Sequence, residues 1–166
     1  FINKYLSMRF SRWLILMVFA IFSNYLVTYG SNKPTNPTIE INTFKEFSNW
    51  LNKDNDTTYV INFWATWCAP CIPAARQLEV YQEQLKDEVY MIGISDERES
   101  VITRFVEQQD LRMAIYRDHK EFNLKKFEVP YRPYSVVLTS EGELVWSGSP
   151  SKLSVDKLRK FASRQG

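Results

Sequence analysis

Histidine is nearly missing from this 166-residue chain, cysteine is scarce and neither sign of charge dominates. Each shortage excludes something. A structural zinc site takes about four ligands, and two cysteines plus one histidine, His119, far along the chain, do not supply them. Two cysteines are also too few for the bridge framework that staples small secreted folds, so the pair is expected to be used chemically rather than structurally. Lys and Arg number 21 against 19 Asp and Glu, and the net charge of +2 comes with no basic stripe, which speaks against a nucleic-acid partner. No internal repeat or low-complexity block is visible. What the chain does have is 45% hydrophobic and 15% aromatic content, enough for one domain with a sizeable core.

Apolar character is concentrated first near the N-terminus. Lys4, Arg9 and Arg12 precede an uncharged run that begins at Trp13 and continues to Tyr29. A basic flank before such a run reads as an export signal. Its 17 residues would reach roughly 25 Å as a helix, marginal for a membrane span. No Ala-x-Ala site follows, and bulky Val27 and Tyr29 stand where a peptidase prefers small residues, so residues 1–29 are expected to be a signal anchor, with a cleaved signal peptide as the alternative. Lys and Arg on the N-terminal side place the remainder outside the cytoplasm, at the periplasmic face of the cell membrane, or soluble in the periplasm or secreted after cleavage. Phe1 is not a start residue, and Met8 is a candidate start. Residues 30–37, with two prolines among small polar residues, read as a linker, and residues 38–166 as the folded domain.

Within that domain strand-like and helix-like patterns alternate. Thr38 to Ile41 is a short strand, and a helix carrying Phe44, Phe47, Trp50 and Leu51 on its core face follows Thr43. Asp54 to Thr57 is a turn. Tyr59 to Ala65 is a run of β-branched and aromatic residues suited to a strand buried on both faces. Cys71, Ala75, Leu78 and Leu85 recur at helical spacing, with Arg76, Glu79, Glu83 and Lys86 between them. Further strands are expected at Tyr90–Ser95, Met113–Tyr116, Tyr134–Thr139 and Leu144–Gly148, and helices at Glu99–Gln109, Lys120–Phe127 and from the cap Ser154 through Ala162. Glu141-Gly142 is a hairpin turn. The pattern is that of an α/β sheet with crossovers, finished by an antiparallel hairpin.

The cysteines sit where the buried strand gives way to a helix. Cys68 is thereby expected near a helix N-terminus, whose amides lack intrahelical partners and favour thiolate, the species that attacks disulfides. Cys71, three residues on, falls on the same helical face and can displace a mixed disulfide formed at Cys68. Cys68 is the expected nucleophile and Cys71 the resolving thiol. A purely structural bridge across so short a loop would gain little from loop closure. Pro70 belongs in the first helical turn, where a missing N–H costs little, and Trp64 and Trp67 are expected to wall the pair from water.

Phe63-Trp-Ala-Thr-Trp-Cys-Ala-Pro-Cys71 resembles the active-site segment of the thioredoxin superfamily, and with Asn62 before it the segment is similar to the anchored or periplasmic TlpA/ResA-type branch. The resemblance extends over residues 39–161 and implies an α/β, thioredoxin-like three-layer sandwich with a central mixed β-sheet flanked by helices, preceded here by an N-terminal apolar helix. It implies an enzyme, a protein-disulfide oxidoreductase with no cofactor beyond its redox-active Cys68–Cys71 disulfide. Pro133 would be the family's cis-proline facing the cysteines, with the neighbouring backbone pairing to an extended substrate segment. Trp67, Ala69, Pro70, Arg132 and Pro133 are then the substrate-binding set. The implied partners are disulfide-bearing exported proteins, apocytochromes awaiting haem among them, a membrane electron-donor protein, and the membrane itself through the N-terminal segment.

Several positions depart from the branch. Asn62 replaces the buried Asp of cytoplasmic thioredoxins and cannot take the proton of Cys71, which leaves water or another carboxylate to do so. Ala74 and Arg76 stand where the branch often has Glu and Pro, and Pro73 is expected to loosen or kink the helix. Arg132 is unusual before the cis-proline: directed at Cys68 it favours thiolate and a more oxidising couple, directed at solvent it does neither. Ala69-Pro70 brings no charge to the thiolate, so a reductant is expected. A thiol peroxidase, a thiol oxidase or isomerase, and a binding module on the same fold are the alternatives. His119 is read as lying at an exposed helix start.

Overall fold

A computed structural model describes residues 39–41, 51 and 57–164. The anchor, the linker, most of the helix after Thr43 and residues 54–56 lie outside them. Among the described residues no helix is long and apolar enough to cross a membrane.

Strands β1 (Ile39–Ile41), β2 (Thr58–Phe63), β3 (Val89–Ser95), β4 (Ala114–Asp118), β5 (Tyr134–Leu138) and β6 (Leu144–Gly148) form one six-stranded sheet in the order β1-β4-β3-β2-β5-β6. The first four strands in that order pair in parallel, and β5 and β6 run antiparallel to their neighbours. Parallel strands need crossovers, supplied here by α1 (Cys71–Leu85) between β2 and β3 and α2 (Glu99–Gln109) between β3 and β4. A short α3 (Phe122–Lys126) precedes β5, and α4 (Val155–Ala162) follows β6.

Alternation along the strands divides the core in two. Val60, Met91, Ile115 and Val137 face α1, α2 and α4, packing with Leu78, Ile102 and Leu158. Tyr59, Ile61, Phe63, Ile92, Ile94, Tyr116 and Val136 face the other way, against Leu51, Leu124 and Phe127. All six residues of β2 are buried, as its composition predicts for a central strand. Leu51 itself is helical and buried.

The differences from the sequence expectation are local. Pro73 does not interrupt α1, because it is the third helical residue, where an N–H has no intrahelical partner in any case. The fourth strand starts at Ala114 rather than Met113, since the Met113 amide is taken by the Glu79 carboxylate at 3.1 Å. The expected helix at Lys120–Phe127 divides into a 3-10 turn from His119, with Lys120 and Glu121 at positive φ, and α3. Asp118, buried at the end of β4, starts α3 by accepting from the amides of Asn123 and Leu124, each at 2.9 Å. Ser154 caps α4 as expected, accepting from the Lys157 amide at 3.2 Å. Gly142 turns the β5–β6 connection at φ 85°, a region open to glycine at little cost.

Candidate active site

Register brings three chain segments to one end of the sheet. Phe63, the last residue of β2, pairs with Ile94 near the end of β3 and with Tyr134 at the start of the antiparallel β5. The residues beyond these three therefore meet: Trp64 to Cys71 after β2, Asp96 and Glu97 after β3, and Arg132-Pro133 before β5. The Trp64 amide continues the ladder to the Ile94 carbonyl at 3.0 Å.

Cys68 and Cys71 are joined as a disulfide. Cys68 is 4% exposed and Cys71 fully buried. Two turns hold them, the Cys68 amide donating to the Ala65 carbonyl at 3.1 Å and the Cys71 amide to the Cys68 carbonyl at 2.9 Å. Pro70 is the N-cap of α1 and Cys71 its first residue. Of the four amide positions at a helix start, Pro70 and Pro73 bring no N–H and that of Cys71 is already engaged, so at most the Ile72 amide is left to face a thiolate.

The aromatic walls differ from one another. Trp64 is buried in the same cluster as both cysteines, its ring 5.7 Å from that of Phe105. Its space exists because residue 93 is glycine: a Cβ there would stand 2.9 Å from the Trp64 Nε1 and 2.6 Å from the Ile115 Cδ1. Trp67 is instead 69% exposed and forms the rim, with Ala69 and Pro70 exposed beside it.

Arg132 is held by a carboxylate rather than left to solvent. Its Nη2 donates to the Asp96 Oδ1 at 2.7 Å, and its guanidinium carbon lies 5.5 Å from the centre of the Trp67 ring. The Arg132–Pro133 peptide is the cis bond of the described residues. Arg132 and Asp96 also line a cleft of about 400 Å³ that continues past Tyr131 to α3.

Glu97, to which no sequence motif points, secures the cysteine loop. Its carboxylate accepts from the Thr66 amide at 2.6 Å, from the Thr66 hydroxyl at 2.7 Å and from the Ser95 hydroxyl at 3.2 Å. Beneath the pair, Asn62 is fully buried and accepts at its Oδ1 from the Ser135 hydroxyl at 3.2 Å. Val60 and Trp64 flank it on the face of the cysteines, and alternation puts Asn62 there too. Asp118, the one buried carboxylate among the described residues, lies on the opposite face with α3.

This combination has relatives. Residues 36–147, two thirds of the 166-residue chain, match the AhpC/TSA family. The chain belongs to that family. The AhpC/TSA chain is similar to the thiol-disulfide oxidoreductase ResA of Bacillus cereus, 30% identical over 87 residues that cover 51% of this chain and 50% of the relative. It thus spans about half the length of that curated relative. A second ResA, from Geobacillus kaustophilus (strain HTA426), is 24% identical over 165 residues, 92% of each chain. The crystal structure of the pneumococcal exposed lipoprotein thioredoxin of Streptococcus pneumoniae strain TIGR4 superposes with a TM-score of 0.60 at 16% identity, covering 69% of this chain and 89% of that one. That likeness shows the fold, which is thioredoxin-like.

Among the sequence-derived residues, Cys68, Cys71, Trp67, Ala69, Pro70, Arg132 and Pro133 of this AhpC/TSA-family chain lie beyond the ends of β2 and β5 at one end of the sheet. His119 stands at the start of its 3-10 turn after β4. Glu97 carried no sequence signal of its own, since a Glu after a strand is ordinary and only the register places it under Thr66.

Proposed function

We propose that this chain is an extracytoplasmic thiol-disulfide oxidoreductase that reduces disulfides of exported proteins by dithiol-disulfide exchange. The observation that carries the reading is the Cys68–Cys71 bridge at the end of the central strands, with Cys71 opening α1, in a chain similar to proteins named thiol-disulfide oxidoreductase. Export and tethering are supported by the basic flank and apolar run of residues 4–29.

In the reduced protein the Cys68 thiolate attacks one sulfur of a substrate disulfide. A bond forms between Cys68 Sγ and that sulfur, the substrate bond breaks, and the other substrate sulfur leaves as thiolate. Cys71 then loses its proton and attacks Cys68 Sγ. The intramolecular bridge forms, and the second substrate sulfur is released and protonated. The substrate gains two electrons and two protons, and the protein ends in the disulfide form described above. Asn62 cannot accept the Cys71 proton, and no buried carboxylate among the described residues shares that face. The substrate's own released thiolate, or water reaching it, is the base the reaction supplies. A membrane electron-donor protein returns the two electrons.

The few free amides at the start of α1, and a neighbouring Arg whose charge is already paired, provide little stabilisation for thiolate. Both favour a reducing couple over an oxidising one. The intermediate gives the test: with Cys71→Ser, a mixed disulfide between Cys68 and a substrate protein accumulates and dissolves on adding reductant. Absence of any such adduct, together with rapid consumption of hydrogen peroxide by the wild-type dithiol in stopped flow, would replace this reading with a thiol peroxidase. Against that alternative, the Thr66 hydroxyl nearest the pair in sequence is engaged by Glu97.

A further inference from the structure

Arg132 is a cation at the rim that Trp67 forms. Its guanidinium lies over the ring of Trp67, the residue before Cys68, at 5.5 Å, and its backbone leads into Pro133. Its side chain is 18% exposed and its Nε is buried without a hydrogen-bond partner among the described residues. A guanidinium that comes within a few ångströms of a thiol lowers its proton affinity, by about one to three pKa units when unscreened. It is not unscreened: Asp96, 22% exposed, meets it at 2.7 Å.

Of the other charges that meet these segments, Arg117 donates from its Nε to the Glu97 carbonyl at 3.1 Å. Glu97 is bound to Thr66. Lys125, which pairs with Glu121 at 3.2 Å, lines the same cleft, as do Glu121 and Glu128. Asp96 is therefore the one carboxylate in direct contact with the guanidinium among the described residues.

We propose that Asp96 is a positioning residue that masks Arg132, and that this masked pair sets the proton affinity of Cys68. With Asp96 in place the pair is neutral and the thiol keeps its proton more tightly, which makes the couple more reducing. With the mask removed, the Arg132 charge acts on the Cys68 sulfur and the couple shifts toward an oxidant. The idea deepens the exchange reaction proposed above and rests on it for its biological consequence. Its test needs only the Cys68 thiol.

The pH dependence of Cys68 alkylation by iodoacetamide, measured on the reduced full chain, reads that proton affinity. Asp96→Asn is expected to move the midpoint down by about one unit and Arg132→Gln to move it up, while the double variant returns to within about 0.3 unit of wild type. Opposite signs and a cancelling double variant are what masking requires. Loss of packing alone moves both single variants the same way and leaves the double variant no better. The equilibrium with glutathione follows the same order, Asp96→Asn more easily reduced than wild type and Arg132→Gln less. Shifts of one sign, or none, in proteins whose circular dichroism matches wild type overturn the proposal. Exchange activity on a protein disulfide is scored separately, so a chain inactive on proteins but with opposed shifts contradicts the exchange reading and leaves the masking intact.

Discussion

The Glu97 carboxylate accepts both protons that Thr66 can donate, the amide at 2.6 Å and the hydroxyl at 2.7 Å. These charge-assisted bonds cross from the segment just after β3 to the loop that carries Cys68, so the position of the nucleophile depends on a residue beyond the next strand. Glu97→Ala leaves the Thr66 amide and the Ser95 hydroxyl without this acceptor. It is expected to lower stability by about 1.5–3 kcal/mol, the scale of hydrogen bonds to a charged group in a partly buried place. Urea denaturation of the oxidised protein measures this, and Glu97→Gln, which keeps one acceptor oxygen, should recover part of the loss.

Gly93 is required by volume. A methyl there would stand 2.6 Å from Ile115 Cδ1, 2.9 Å from Trp64 Nε1 and 3.1 Å from Met113 Sδ. Gly93→Ala is expected to cost about 1–3 kcal/mol, as overpacking does in a dense core, and to disturb the Trp64 ring beneath the cysteines. Chemical denaturation followed by tryptophan fluorescence reads both effects. An unchanged midpoint means the ring has room to move.

Arg76 joins α1 to the end of α2. Its guanidinium donates to the Asp110 carbonyl at 2.7 Å and to the Gln109 carbonyl, while Glu79, one turn on, accepts from the Met113 amide at 3.1 Å. A cation at the last carbonyls of a helix also meets the favourable end of its dipole. Arg76→Ala is expected to lower stability by about 1 kcal/mol. It should raise amide exchange selectively at the last turn of α2, which hydrogen-exchange mass spectrometry resolves.

Tyr59, 4% exposed, has its phenol pushed above the ordinary 10.0, first by burial and then by the neighbouring Tyr90. Protonated phenol is thus favoured by the folded state. The associated stability is fully present below pH 10 and is lost as pH rises through the higher folded value. Tyr59→Phe should flatten the decline in melting temperature above pH 10, and a decline as steep as wild type would assign alkaline unfolding to other groups.

Much of this architecture was legible in the residues. The mostly apolar, β-branched and aromatic character of Tyr59 to Ala65 signalled a central strand, and the helical spacing of Cys71, Ala75 and Leu78 signalled α1, because burial on two faces and on one leave different periods. The Cys68–Cys71 pair was legible because its spacing is local. Glu97, the Asp96–Arg132 pair and the carbonyl contacts of Arg76 were not, since each depends on which strands become neighbours. Pro73 misled for a different reason: its effect depends on its place in the helix, and the start of α1 at Cys71 makes it harmless.

The central claim is that Cys68 carries the reaction, and multiple-turnover reduction of insulin by the full chain, recycled by an external thiol donor, tests it most directly. Wild type should accelerate the reaction, and Cys68→Ser should fall to the rate of the donor alone. Undiminished reduction by Cys68→Ser would contradict the account.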